Sequence, residues 1–265
     1  MKIWPLSDLH MELTRGWDLP GAADRPPFDV MVVAGDVMPG FARGVRWLAE
    51  RVVDRPVIMV AGNHEHYGRD LDREIEKARE AATGTNVTVL QNSTAIVNGV
   101  LFLGATYWTD FDLFGTPIAS MSVAAEMLND YRKIRVDNYS RRLRPQHTLL
   151  RHRESRAFVE ETLRAAPATM KRVLVTHHPV HPVGGRSRPH GHDLAGDQLA
   201  PAYMSDCSEL FELGLDAAVS GHTHVSLDEI VGKTRLISNS KGYGPWTAGE
   251  RWENPHFDPL FTFDI

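Results

Sequence analysis

Short apolar runs, each closed by a polar residue, set the rhythm of this chain. Residues 3–7 and 29–35 are apolar stretches bounded by Gly, Pro or Asp, the pattern of buried strands. Residues 40–54 change period and put Val45, Leu48, Ala49 and Val52 on one face of a helix. Pro56 then separates that helix from a strand over 57–61. The β–β–α–β order predicts parallel strands joined by crossovers. A charge-dense helix is expected over 70–82, followed by strands at 87–90, 94–97 and 100–105. Asn98–Gly99 is the hairpin turn between the last two. Residues 107–146 lack alternation and read as an insertion folded over the main body. Helical spacing returns at 147–166. A strand follows at 171–176, then a long loop at 179–197 rich in Gly, Pro and His, and a short helical stretch at 210–213. Strands are expected at 216–220, 226–231 and 234–238, and the alternating segment 260–265 closes a sheet edge.

Bulk properties narrow the picture. At 265 residues and 42% hydrophobic content, the chain is large enough for one substantial core and near the upper size of a single domain. The expectation is one domain over 1–265, with a cap-like insertion at about 107–146. A formal net charge of -5 argues against a dedicated duplex-DNA binder. Cys207 is the sole cysteine, so internal disulfides and thiolate metal clusters are excluded, which fits a reducing compartment. No apolar run is long enough to span a bilayer. Asp8 and His10, already within the first ten residues, argue against a cleaved signal peptide. A cytoplasmic protein is expected.

The chemistry gathers just downstream of the apolar runs. Asp8 and His10 follow the first, Asp36 the second, and Asn63 with His64 the third. His177 with His178 follows the strand at 171–176, and His222 with His224 follows that at 216–220. Taken singly, each cluster is as consistent with a turn or a locally bonded histidine. Five clusters at strand ends form a different proposition, because divalent metals need carboxylate, amide and imidazole donors converging from several directions. The two-residue spacing within Asp8/His10 and His222/His224 would aim both side chains one way if the backbone stayed extended. Gly35, Gly62 and Gly221 precede ligand candidates and permit unusual backbone angles or close strand approach. Asp36 is the best candidate bridge between two cations, and Asn63 offers a neutral amide oxygen. His66, His147, His152 and His256 read as surface or locally bonded residues.

Asp8–Leu9–His10, Gly35–Asp36, Gly62–Asn63–His64–Glu65, His177 and Gly221–His222–Thr223–His224, in that order, resemble the calcineurin-like metallophosphoesterase superfamily. Asn239 to Tyr243 and the segments 253–255 and 257–259 are similar to the tail of its bacterial members. The resemblance implies an α/β fold, a four-layer α/β/β/α sandwich of two central mixed β-sheets flanked by helices. It implies a first metal held by Asp8, His10, Asp36 and His224, and a second held by Asp36, Asn63, His177 and His222. His64 would lie just outside the metals, contacting the phosphoryl group or the leaving oxygen. His177, rather than its neighbour His178, corresponds to the family's ligand. In the purple acid phosphatase branch a tyrosine stands where this chain has Pro39, so a tyrosinate-coloured iron site is not expected. Two divalent or mixed-valence ions are expected, with Mn, Fe, Zn, Co and Ni all compatible with such donors.

The expected activity is dinuclear metal-dependent hydrolysis of phosphate esters, foremost a phosphodiesterase using a metal-bridging hydroxide for in-line attack. The alternatives are a phosphomonoesterase or nucleotide phosphatase, a nuclease acting on nucleic-acid ends, and a non-catalytic scaffold of the same fold. His64 is the candidate catalytic residue, and Glu65 either orients its loop or is an exposed acid. The expected partner is a small phosphate ester, with nucleotide-like compounds among the candidates. Neither a membrane nor a stable nucleic-acid partner is expected. Nine Lys or Arg against two acids between Tyr131 and Arg156 form a patch that would attract a polyanion. Trp108, Phe111 and Tyr131 would either stack on a base or pack the insertion. The loop at 181–192, with His190 and His192, either reaches over the metals or lies on the surface.

Overall fold

The computed structural model describes residues 1–185, 194–247 and 249–265. His190 and His192 lie outside the described residues. The strands are β1 (Lys2–Leu6), β2 (Val30–Ala34), β3 (Val57–Val60), β4 (Val87–Val89), β5 (Ser93–Val97), β6 (Val100–Ala105), β7 (Arg135–Val136), β8 (Arg141–Arg142), β9 (Arg172–Thr176), β10 (Ala217–Ser220), β11 (Ser226–Val231), β12 (Thr234–Asn239) and β13 (Phe263–Asp264). The α-helices are α1 (Phe41–Arg51), α2 (Leu71–Ala82), α3 (Pro117–Met127), α4 (Asp130–Lys133), α5 (Pro145–Ala165) and α6 (Ala200–Tyr203).

Two mixed sheets form the centre. One has the order β13-β1-β2-β3-β4, the other β11-β12-β10-β9-β6-β5. In the first, β1 to β4 run parallel and β13 pairs antiparallel with β1 at the edge. In the second, β12, β10, β9 and β6 run parallel, and antiparallel β11 and β5 close the two edges. The turn between β5 and β6 holds Asn98 and Gly99 at φ of 48° and 80°, the left-handed pair that a two-residue hairpin requires.

The strands read as continuous apolar runs because both of their faces are covered. Ile3, Val32, Ile58 and Val60 of the first sheet meet Phe102, Val173, Val175 and Val219 of the second in the inter-sheet core. Alternate residues Trp4, Leu6, Met31, Val33 and Met59 turn the other way, onto Phe41, Val45 and Leu48 of α1 and Ala78 of α2. Leu103, Leu174, Ala218 and Leu236 pack against Val159 and Leu163 of α5. The result is four layers: α1 and α2, sheet, sheet, α5. At the rim, the Ser7 and Ser240 hydroxyls meet at 2.8 Å and tie the sheets together.

After β6 the chain leaves the sheet to build α3, α4 and the β7–β8 hairpin around a satellite core. Trp108, Phe111 and Tyr131 are buried in that core beside Leu71 and Ile134. This corrects the base-stacking option, since the rings are consumed by packing. Three of the nine basic residues of the 131–156 stretch are likewise spent locally. Arg151 forks onto Asp72, Arg141 pairs with Asp137, and Arg156 pairs with Glu160 and Glu209. Among the described residues, no helix is long and apolar enough to cross a membrane.

Candidate metal centre

All five clusters fall at the C-terminal ends of parallel strands, where an open α/β sheet leaves its crevice. β1 leads to Asp8 and His10, β2 to Asp36, β3 to Asn63 and His64, β9 to His177, and β10 to His222 and His224. The backbone does not stay extended there. Asp8, His10, Asp36, His222 and His224 have φ values of 52°, 44°, 56°, 68° and 54°, all left-handed. That corrects the period-two argument: the side chains converge because the chain coils tightly as it leaves each strand. Non-glycine residues pay a steric penalty in this region, so the conformations persist only where surrounding contacts hold them. Backbone bonds supply such contacts, with the Asp8 N–H donating to Gly35 O and the His10 N–H to Asp36 O, each at 3.0 Å. Close approach explains Gly62, where a Cβ would stand 2.0 Å from Asp36 Oδ1.

Two donor sets result, joined by one oxygen. In the first, His10 Nε2 lies 3.1 Å from His224 Nε2, and His224 Nε2 lies 3.5 Å from Asp8 Oδ1. In the second, His177 Nε2 lies 3.0 Å from Asn63 Oδ1 and 3.1 Å from His222 Nδ1. Asp36 Oδ2 is 3.7 Å from His10 Nε2 and 3.5 Å from His177 Nε2, so it faces both sets. Asp36 Oδ1 is turned away and accepts the His64 N–H at 2.8 Å. The alternative histidine, His178, has its Nδ1 against Thr106 O at 3.2 Å.

The protonation pattern fits a pair of cations. The Ala34 carbonyl can only accept, so His177 Nδ1 donates to it at 2.8 Å and Nε2 is left as a lone pair. The Glu253 carboxylate takes His224 Nδ1–H at 2.6 Å, with the same consequence for His224 Nε2. Asn63 spends its amide N–H on Asp130 Oδ1 at 2.8 Å, which turns its oxygen inward. At His177 Nε2 and Asn63 Oδ1 a lone pair therefore meets a lone pair with no proton between them, an arrangement that a metal ion satisfies. Burial holds His10 and His177 near pKa values of about 3 and about 4, so both rings are neutral, ligand-ready bases at physiological pH. Burial, followed by the charges of Glu65 and Asp8, drives Asp36 well above the usual carboxylate range. A carboxylate so placed calls for positive charge beside it. Within this region the groups Asp8/His10/His224, His10/Asp36/His64 and Asp36/His177/His222 each bring ligand atoms within 4.8 Å of one another.

Two supporting residues, Glu12 and Asp130, went unread in the sequence. Glu12 accepts from His64 Nδ1 at 2.9 Å and sits 3.4 Å from His10 Nδ1. Burial alone would raise its pKa, but the hydrogen bonds from His10 and His64 outweigh that and hold it at about 2. Glu65 is fully buried and accepts the N–H groups of Gly62, Val37 and Asp36 at 2.6, 2.7 and 2.8 Å. That settles its role as the tie between two ligand loops and corrects the exposed-acid option. Glu12 and Glu65 stand next to ligand positions in sequence, a usable signal. Asp130, inside the insertion, carries none, and Glu253 was marked only by the family's tail. His66 also needs correction: it is buried, packs near Trp108, and neither ring nitrogen has a hydrogen-bond partner among the described residues.

A cleft of about 620 Å³ opens onto the centre, lined by Asp36, Asn63, His64, His222 and His224 at its floor. Among the described residues, no Lys or Arg lines it, so none of the nine basic residues of the 131–156 stretch faces it.

Comparison with known proteins agrees with this fold. The crystal structure of phosphopantetheinyl hydrolase from Mycobacterium tuberculosis superposes with a TM-score of 0.68 at 18% identity, covering 91% of this chain and 89% of that one. A protein described as a candidate 5′-nucleotidase from Staphylococcus aureus superposes with a TM-score of 0.46 at 14% identity, covering 89% of this chain and 48% of the other. At such identities the likeness is one of fold. No curated protein sequence matches the chain. The sequence profile of the calcineurin-like phosphoesterases matches residues 1–226, so the chain belongs to that family and is a metal-dependent phosphoester hydrolase.

Proposed function

We propose that the protein is a phosphodiesterase working with two ions, one held by Asp8, His10, Asp36 and His224 and the other by Asp36, Asn63, His177 and His222. The observation that carries this reading is Asp36 Oδ2 facing both donor sets beside His64. When bound, paired divalent ions supply Lewis acidity to the phosphoryl oxygens and a water acidic enough to lose its proton near neutral pH. The chain's own groups do the rest. Glu12, ionised, fixes His64 by taking its Nδ1–H; as the imidazolium, the ring then has an Nε2–H to give to the departing alkoxide or to the phosphoryl oxygens. Glu65 holds the loops carrying Asp36 and Asn63 in mutual register. The segment 107–146 serves as a cap, because Met127, Leu128, Asn129 and Asp130 form part of the cleft wall.

The diester preference follows from charge. A monoester presents a dianion and gains from extra cations, whereas a diester presents one charge at phosphorus. The described cleft wall offers no lysine or arginine for the second charge. The test is metal analysis of the purified protein, then parallel assays on bis(p-nitrophenyl) phosphate and p-nitrophenyl phosphate with that metal restored. Two ions per chain and a higher kcat/KM on the diester are expected. Preference for the monoester would overturn the assignment.

A further inference from the structure

The cleft has a second half that the metal chemistry does not use. α3 packs against α6, and together they bring Met127, Leu128, Leu199 and Tyr203 to one wall above the metal floor. Tyr67 and Tyr243 stand nearer the floor, with Tyr243 ring-to-ring with His10 and His224 at 4.6 and 4.7 Å and Tyr67 with His64 at 4.2 Å. α3 is unusual for a surface helix. It carries no Lys or Arg and a single Glu, and it exposes Ile118 and Met127 at 81% and 57%. Of the two, Met127 lines the cleft, and exposed apolar surface beside a site marks a place where something apolar rests. A volume of about 620 Å³ also suits an organic ligand better than a bare phosphate ion.

The carboxylates among the described cleft-lining residues repel a second phosphate. Asp130 accepts from Asn63 and Tyr67, and Glu253 accepts from His224. Asp197 lies on the same rim, and its carboxylate caps the Leu199 N–H at 2.9 Å. Lys133 lies over the face of the Tyr67 ring, 4.7 Å from its centroid, and is not part of the cleft wall. A terminal phosphate or polyphosphate arm would therefore meet carboxylates and apolar carbon.

We infer that the wall formed by Met127, Leu128, Leu199 and Tyr203 is a substrate subsite for an uncharged, partly apolar arm of the phosphodiester. This rests on the phosphodiesterase reading above. The arm runs from the phosphoryl group at the metal floor along the α3–α6 wall, and the same wall selects against nucleoside polyphosphates and other multiply charged esters.

The experiment uses the metal-loaded protein and p-nitrophenyl phosphodiesters whose second ester is methyl, butyl, or butyl ending in a phosphate. kcat/KM should rise about tenfold from methyl to butyl as the added methylenes leave water. It should fall below the methyl value for the phosphate-terminated arm. Leu128→Asp and Met127→Asp should each collapse the butyl-to-methyl ratio towards one. Ile230→Asp, on an exposed edge strand, should leave that ratio intact, and melting curves confirm that each variant is folded. Calorimetric binding of methyl esters of butylphosphonate and methylphosphonate, which do not turn over, should rank the same way with a negative heat-capacity change. A flat chain-length series, or faster turnover of the phosphate-terminated diester, would overturn the subsite. Turnover of p-nitrophenyl phosphate with none of any diester would instead overturn the phosphodiesterase reading itself.

Discussion

His64 is held from two directions, its main-chain N–H on Asp36 and its ring on Glu12. Replacing it should separate catalysis from metal retention. In His64→Ala, turnover of bis(p-nitrophenyl) phosphate should fall by about 10²- to 10⁴-fold. Metal content by plasma emission spectrometry should remain at the wild-type level; loss of metal in step with activity would move His64 into the ligand sphere. At this scale, the residues legible in the sequence are those whose chemistry is scarce. Histidine pairs, Gly–Asp and Gly–Asn–His after apolar runs have few other reasons to recur. Glu12, Asp130 and Glu253 were not legible as supports, because carboxylates are common and their partners are set by folding across up to 67 residues of chain.

The strand-to-turn junction is the element that makes this centre. β1, β2 and β10 end in coil that bends left-handed at once, and neighbouring junctions interlock so closely that side chains are excluded between them. Gly62→Ala tests that crowding. Its new Cβ would overlap Asp36 Oδ1, so the shared carboxylate must move. A displacement of about 1 Å in a positioning group can cost on the order of 100-fold in rate. We expect at least that loss, together with reduced metal stoichiometry and nearly unchanged far-ultraviolet circular dichroism, because the strands themselves are untouched. The sandwich strands and the helices α1, α2 and α5 could be read from the apolar pattern, since the sandwich buries both sheet faces and only one face of α1, whereas α3, α4 and the β7–β8 hairpin could not. The left-handed exits could not. Nothing in Asp–x–His spacing distinguishes an extended tail from a coil, and the outcome is set by backbone bonds to Gly35 and Asp36 of the adjacent strand exit.

Across the whole molecule, the centre is assembled at the seam between the two sheets. Asp8, His10, Asp36 and Asn63 come from one sheet, and His177, His222 and His224 come from the other. The 107–146 segment contributes Asp130, which orients Asn63 from outside both sheets. Asp130→Asn should therefore weaken metal retention by about 10- to 100-fold, read by competition with a chelator, while leaving the sandwich folded. The same architecture predicts what stripping the metal does. Without cations, Asp36 is left beside Glu65 and Asp8 in a buried site, and lone pairs of His177 Nε2 and Asn63 Oδ1 face each other at the seam between the sheets. Ions that bind only this assembled state stabilise it by mass action, about 2.7 kcal/mol for each ion present at a hundredfold excess over its Kd. For a chain of this size that is roughly 5–10 °C in Tm per ion, less whatever affinity the unfolded histidines retain. Treatment with EDTA should lower the melting temperature accordingly, and restored metal should recover it. Hydrogen exchange should quicken first at the exits of β1, β2, β9 and β10, where the sheets share ligands, and not at the β5 and β11 edges. Uniform loosening across both sheets would mean that the ions stabilise the fold at large rather than the seam.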